Sequence, residues 1–486
     1  MSSSNAPSFS LQIVNATPYS LGLTGSSNNN QMTWNPPQQI AGNTANTISN
    51  NSFTAAFSAS SASNNTASAT YQLEGINNFQ FTITAQVTGV ENLPKSIPSN
   101  AGYGFVVQWQ NIPEGYFVYP PPDSNNQSVI GWIPNGTVSI GIGYFPNNTQ
   151  SQITTYPTPN YGNGSLTNDF TALRPSVLNW ATNWMTLFAP CIQSLCLNQL
   201  TLPGAHDAST YCSSGATQYW VQTQYQNIDQ QLSQGIRDLD LRMMVTNGKG
   251  DNQFVMCHGS VQLDLTLVAF LNQVTQFLSA NPQEIVILDL HDFQGTWTTQ
   301  NYQDVANLII STIGENYLLP PSAFNQTLEQ IWATSGRVVV GAWEFPSTVS
   351  SWIQQNTPFW SNAVHQYWCG ESVTTWSYVA NYLQTTLNGF TEPQNELTSL
   401  MAQYNYSTQQ SVTAYGVPVN IPVELSNFFA GSNGLQANII ATDWWNRVNA
   451  TTGQQELNIN NFSALINAVP FNLLKGYRSQ NNQPLW

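Results

Sequence analysis

From about residue 200 onward the chain repeats one pattern: a short apolar run of strand length, a turn, then a stretch with helical spacing. Residues 199–202, 236–244, 254–257, 284–290, 337–343 and 437–442 read as strands. Residues 228–233, 261–280 and 304–313 carry apolar side chains at helical intervals, the second stopping before Asn281-Pro282. Strands joined through helices become parallel neighbours, and the number of units fits a (β/α) barrel. In such a barrel the strand C-termini and their loops form one functional face. His206, Arg242, His258, His291 and Asp443 all fall near such ends.

The first 165 residues have a different texture. Residues 9–14, 79–85 and 138–144 alternate apolar with polar, separated by turn-rich stretches at 25–30 and 58–68. This predicts an all-β, sandwich-like domain over 1–165. Tyr116, Phe117, Tyr119 and Pro120-Pro121-Pro122 form an aromatic and proline cluster, read either as a loop packed on the sandwich edge or as a patch for lipid or sugar. The domain holds no His and one Lys, so catalysis is not assigned to it. Residues 156–168, rich in Pro, Gly, Asn and Thr, read as the linker to a second domain spanning 166–486. A helix is expected from about Pro175, with Trp180, Ala181, Trp184 and Leu187 at helical spacing.

Charged residues make up only 7% of the chain, against about a quarter in an ordinary protein. Net charge is -15, which argues against nucleic acid or an anionic membrane as a general electrostatic partner. Any anionic ligand therefore needs a local cluster of donors. Nine Lys and Arg and four His serve the whole chain, yet two His and two Arg fall between 200 and 260. Five cysteines, an odd number, make no disulfide framework, although Cys191 and Cys196 are close enough in sequence to pair. No basic and apolar leader opens the sequence, and no apolar run has transmembrane length. The expectation is a cytoplasmic or non-classically released protein.

The cation-rich stretch contains Pro203-Gly204-Ala205-His206-Asp207, then Gly235-Ile236-Arg237-Asp238-Leu239-Asp240-Leu241-Arg242, then Met256-Cys257-His258-Gly259. Period-two alternation places Asp238, Asp240 and Arg242 on one strand face. Two imidazoles beside a guanidinium suit phosphodiester cleavage without a metal: one removes a proton from the attacking hydroxyl, the other protonates the leaving oxygen. The guanidinium neutralises charge developing on phosphorus. Asp207 and Asp443 are the candidates to fix the imidazole tautomers. A single His is usually structural, and Asp-Leu-Asp-Leu-Arg alone could be an ion-pair ladder. Their convergence at successive strand ends points to a site.

Leu202-Pro203-Gly204-Ala205-His206-Asp207, the Gly235-to-Arg242 run, Cys257-His258-Gly259 and Asn281-Pro282-Gln283-Glu284-Ile285-Val286-Ile287-Leu288-Asp289 resemble the phosphatidylinositol-specific phospholipase C X-domain superfamily. The nearest likeness is to bacterial enzymes and stand-alone X-domain-containing proteins. Trp184-Met185 and Ile439-Ile440-Ala441-Thr442-Asp443-Trp444 add to it, and the resemblance spans roughly residues 173–486. It implies a distorted TIM barrel. It also implies His206 as general base oriented by Asp443, and His258 as general acid partnered by Asp207. Asp240 would hold Arg242 or the nucleophile. Arg242 stands where calcium-dependent members carry an acidic metal ligand, so the resemblance implies no cofactor and no calcium requirement. Bacterial members carry a Lys where this chain reads Asp289-Leu290-His291-Asp292, and a basic residue where it reads Trp343-Glu344. His291, Trp343 and Glu344 are thus candidate substrate-binding residues, with His291 read as a rim residue or an extra phosphate contact.

The leading expectation is a metal-independent phosphodiesterase or lyase acting on a phospholipid-type diester, with no nucleic-acid partner. The alternative from another class is a lipid- or glycan-binding, toxin-like or storage protein with a catalytically silent barrel. Residues 1–165 would deliver the barrel to a membrane surface in the first case and carry the binding in the second. A calcium-dependent lipase is disfavoured by Arg242.

Overall fold

The computed structural model describes residues 8–28, 33–52, 66–76, 78–88, 102–131, 136–146, 180–213, 221–370, 375–403, 421–443 and 459–486. The expected linker at 156–168, and the first residues of the helix expected from Pro175, lie outside them. So does the turn stretch at 58–65.

Among the described residues ten strands precede the functional region: β1 (Ser8–Ala16), β2 (Leu21–Asn28), β3 (Gln39–Ile40), β4 (Thr44–Ser52), β5 (Thr66–Leu73), β6 (Gln80–Thr88), β7 (Gly102–Gln110), β8 (Tyr116–Tyr119), β9 (Gln127–Gly131) and β10 (Thr137–Tyr144). They form one sheet in the order β4-β1-β10-β8 and another in the order β3-β2-β5-β6-β7-β9. The alternation that predicted strands also explains their packing. On β5, Ala67, Ala69, Tyr71 and Leu73 are buried while their neighbours are half-exposed. These side chains share one core with Leu11 and Ile13 of β1 and with Val138, Ile140 and Ile142 of β10. Residues 25–28, expected to turn, instead continue β2 against β5. Tyr116, Phe117 and Tyr119 are buried, with Tyr119 edge-on to Trp180, so the aromatic cluster is interior packing and offers no surface patch. Among the described residues the exposed large apolar side chains are Tyr317, Trp368 and Tyr378, all beyond residue 165.

The strand–helix alternation yields β11 (Leu202–Ala205), β12 (Asp238–Val245), β13 (Phe254–His258), β14 (Val261–Thr266), β15 (Val286–Gln294), β16 (Val338–Gly341), β17 (His365–Tyr367), β18 (Thr398–Met401) and β19 (Ile439–Thr442). Parallel pairing runs β16-β15-β12-β11-β19-β18-β17. The two ends of this series approach at a parallel bridge between Gly341 and Trp360, with Trp360 N donating to Val340 O at 2.8 Å. The period of two separates the faces. Leu202, Ile287, Val339 and Ile439 lie in one apolar cluster, whereas Leu239, Leu241, Leu288, Val338 and Val340 pack with the flanking helices. Leu202, Gly204 and His206 therefore point the same way as Asp238, Asp240 and Arg242, toward the space the strands enclose.

Two expectations need correction. The first strand starts at Leu202 instead of residue 199, because residues 197–199 form a 3₁₀ turn and Pro203 and Gly204 lie within the strand. Pro203 lacks an N–H, but its carbonyl accepts from Arg237 N at 2.9 Å. Residues 261–266 are strand, and the helix starts only at Leu267, capped by Thr266 accepting from Ala269 N at 3.2 Å. Val261, Leu263 and Leu265 alternate with Gln262, Asp264 and Thr266, a period-two signal that a helical reading overrides only by ignoring it. His258 consequently ends a strand of an antiparallel hairpin built on the extension of β12, not a parallel strand of the ring. Gly259, with φ +52°, opens the two-residue turn that a β-carbon would strain.

The C-terminal helix (Ile459–Gln480) joins the two regions. It packs on β1 and β10 as well as on β11. Asn467 accepts from Ser139 Oγ at 2.6 Å, and Asn472 grips the backbone of Thr201 in both directions, at 2.7 and 2.8 Å. Cys191, Cys196, Cys212, Cys257 and Cys369 are all free thiols. No helix among the described residues is long and apolar enough to cross a membrane.

Candidate active site

His206 leaves the end of β11 with its N–H bonded to Thr442 O at 3.2 Å, and Asp207 follows in the left-handed region at φ +47°. That turn directs the Asp207 carboxylate back over the strand ends. Gln224 ties the turn down, donating to His206 O at 2.7 Å and to Thr442 O at 3.0 Å. Thr223 Oγ1 donates to the same His206 carbonyl at 3.2 Å.

Four side chains converge on Asp207. Arg242 Nε lies 2.7 Å from its Oδ1, His258 Nε2 3.2 Å from its Oδ2, and His206 Nε2 3.4 Å from the same Oδ2. From below, Asp240 Oδ2 accepts from Asp207 N at 3.1 Å and from Arg242 Nη2 at 2.8 Å. On the far side of the imidazole, His206 Nδ1 meets Asp443 Oδ1 at 2.5 Å across 237 residues of sequence. Asp207 is fully buried, while His258 is about a third exposed and faces the opening.

The charges follow from these contacts. Burial opposes ionisation of Asp207, but Arg242, His206 and His258 outweigh it and hold the carboxyl far below the usual carboxylate range. Burial likewise opposes charge on Asp240, and Arg242 overcomes it. Burial opposes charge on His206 too, but Asp207 and Asp443 prevail and raise its titration above the ordinary 6.5. Arg242 is more firmly protonated than a free guanidinium, because Asp207 and Asp240 outweigh its own burial.

His206, Asp207 and Asp240 each offer a ligand atom within 4.8 Å of the others, a spacing that a cation could use. Arg242 already lies against both carboxylates of that set, so the protein's own guanidinium supplies the positive charge there.

The remaining candidates divide. His291 is half-buried and acts electrostatically with Asp240 and Arg242; burial lowers its titration, and among the described residues its Nδ1 has no partner. Glu344 is exposed and close enough to His291 to act on it electrostatically. Trp343 is half-buried beside β17. Its indole stacks on His365 at 4.4 Å, and His365 stacks in turn on Tyr367 at 4.4 Å. Alternation puts His365 and Tyr367 on the face of β17 opposite Gln366, whose side chain reaches the enclosed space and bonds Asp289. Trp343→Ala is expected to lower stability by about 0.5–1.5 kcal/mol, the worth of such a stack, and to leave KM unchanged. Thermal unfolding and steady-state kinetics check the two halves of this expectation. Gln224 and Gln366 were not anticipated from sequence; no local pattern distinguishes them from the many other Gln of this chain.

The series of parallel strands, with a guanidinium, two imidazoles and their carboxylates at one end, defines a class: an α/β protein with titratable side chains gathered around a buried ion pair. Residues 205–342 match the family model described as phosphatidylinositol-specific phospholipase C, X domain. PI-PLC X domain-containing protein 1 of Mus musculus is 28% identical over 230 residues, 42% of this chain and 63% of that protein. The 1-phosphatidylinositol phosphodiesterase of Listeria monocytogenes is 34% identical over 110 residues, 22% of this chain and 32% of that protein. The chain thus spans less than two thirds of either relative. Among solved structures, a phosphatidylinositol-specific phospholipase C of Staphylococcus aureus superposes with TM-score 0.42 at 17% identity, covering 58% of this chain and 97% of that one.

Proposed function

We propose that this chain is a metal-independent phosphoric diester hydrolase or lyase of the phospholipase C type, acting on a phospholipid-type diester. The observation that carries the reading is the convergence of His206 Nε2, His258 Nε2 and Arg242 on the single carboxylate of Asp207, with Asp443 on the other nitrogen of His206. In this reading residues 166–486 form a distorted (β/α)-barrel phosphodiesterase domain, and residues 1–165 a sandwich-like domain fastened to it by the C-terminal helix.

With Nδ1–H donated to Asp443, His206 Nε2, 3.4 Å from Asp207 Oδ2, carries the lone pair that accepts the proton of an attacking hydroxyl. That oxygen forms a bond to phosphorus while the bond to the leaving oxygen breaks. His258, whose Nε2 lies 3.2 Å from Asp207 Oδ2, gives its proton to the leaving oxygen. Arg242 meets the charge gathering on the non-bridging oxygens. If the hydroxyl belongs to the substrate the product is a cyclic diester and the enzyme a lyase; if it is water, a monoester is released. The base must be neutral to act. Activity is therefore expected to fall as pH drops, with the limb above the ordinary imidazole value of 6.5 because His206 is raised. Trp368, 44% exposed and two residues beyond Gln366 on the same strand line, supports a lipid surface as the place of action.

The test is a phosphorus NMR assay over a phospholipid panel, with and without a divalent chelator. Cleavage that survives chelation and is lost in His258→Ala supports the proposal. Cleavage abolished by the chelator, or no cleavage of any member, contradicts it.

A further inference from the structure

Beneath the catalytic groups the enclosed space holds more carboxyls than cations. Asp238 and Asp289 are each about 1% exposed. Both belong to the inward-facing series: Asp238 precedes Asp240 by two on β12, and Asp289 is paired in register with Asp240 from β15. The guanidinium of Arg242 is committed to Asp207 and Asp240. Among the described residues neither oxygen of Asp238 has a hydrogen-bond partner, and Asp289 has one, Gln366 Nε2, at its Oδ2 alone. The remaining inward neighbours bring no positive charge: Gly204 of β11 and Gly341 of β16 have no side chain, and His291 of β15 is itself pushed toward neutrality. Gly204 is shaped to this arrangement, since a β-carbon there would stand 2.8 Å from Asp238 Oδ2. Three adjacent buried carboxyls facing one shared guanidinium cannot all carry charge.

We propose that Asp238 and Asp289 are positioning residues held as neutral carboxylic acids, so that Asp240 is the single anion rising from the interior to fix Arg242. Gln366, reaching across from β17, sets the orientation of Asp289 by donating to one oxygen and leaving the other to carry the proton toward the Asp238–Asp240 side. Burial, then the neighbouring Asp238 and Asp240, raise Asp289 well above the carboxylate range, and burial and Asp240 do the same to Asp238. The catalytic part of this inference rests on the phosphodiesterase reading; the protonation part does not.

Two measurements separate them. For a carboxyl whose folded value is raised, the folded protein binds a proton that the unfolded chain releases above about pH 4, so its presence lowers stability as pH rises. Asp289→Asn removes that proton uptake. The melting temperature of the variant, relative to wild type, is expected to increase between about pH 4 and pH 7. A difference that stays constant or falls overturns the proposal whether or not any substrate is cleaved. In turnover, Asp289→Asn is expected to keep kcat and the pH limbs of the wild type, while Asp289→Leu, which strands Gln366, lowers kcat about tenfold with little change in KM. An Asn variant as impaired as the Leu variant, or one with a displaced pH limb, would show that Asp289 acts as an anion and sink the positioning role. Loss of activity in no variant because the wild type cleaves nothing would instead defeat the phosphodiesterase reading, and the melting experiment would still decide the protonation state.

Discussion

Replacing Arg242 by leucine is expected to lower kcat/KM by about a thousandfold or more. Three effects add. The donor that meets charge on the phosphoryl oxygens is gone. Asp207 and Asp240, both held ionised chiefly by Arg242 against their burial, are left facing each other. One of them must then take up a proton, which breaks up the ion-pair arrangement on which both imidazoles sit. Arg242→Lys keeps a charge but not the fork that reaches Asp207 Oδ1 through Nε and Asp240 Oδ2 through Nη2, so it should recover only a small part of the loss. Steady-state kinetics on the preferred diester checks the series. A lysine variant near wild type would mean that charge alone is required.

The second large effect is on stability. Arg237 sits five residues before Arg242 but faces away from the site. It donates to Glu284 Oε2 through Nε at 2.9 Å, and its other nitrogens reach Thr182 O at 2.8 Å and Leu232 O at 2.9 Å. Glu284 also accepts from Thr186 N and Oγ1 at 2.8 and 2.7 Å, so one fully buried pair ties the segment before β11, the start of β12 and the loop before β15. Trp184 and Phe277 cover the guanidinium. Arg237→Leu leaves Glu284 buried without its cation and is expected to destabilise the fold by about 3–5 kcal/mol. The double variant Arg237→Leu/Glu284→Leu should regain a good part of this, because it removes the stranded charge. Denaturant titration of the two variants and wild type provides the measurement, and a double variant no better than the single would refute the account of the pair.

Much of the site was legible because inward and outward positions alternate strictly along short strands. Reading every second residue from Leu202 and from Asp238 already places Gly204 with His206 and Asp240 with Arg242. Asp443 could be assigned to His206 only through resemblance, since the contact spans 237 residues and depends on β19 lying beside β11. The misreadings have definite causes. Residues 261–266 alternate with period two but run without a break into the helical spacing that starts at Leu267, and β13 is there as their antiparallel partner. Trp343 follows β16 by two residues, yet its ring goes to His365, because the ends of the strand series meet there through a single bridge and leave room for a stack. The aromatic cluster at 116–119 allows either an edge-packed loop or a surface patch in one dimension, and it is buried between β10 and the segment around Trp180. Asp238 and Asp289 gave no sign of differing from Asp240, because the difference is made by which of them Arg242 can reach.

The most direct measurement is headgroup release by wild type and His206→Ala, with the fold of each verified by circular dichroism. Deleting the base whose two nitrogens face Asp443 and Asp207 is expected to lower kcat by about a hundredfold to ten-thousandfold while the protein remains folded. A folded His206→Ala variant that cleaves as fast as wild type would contradict the account.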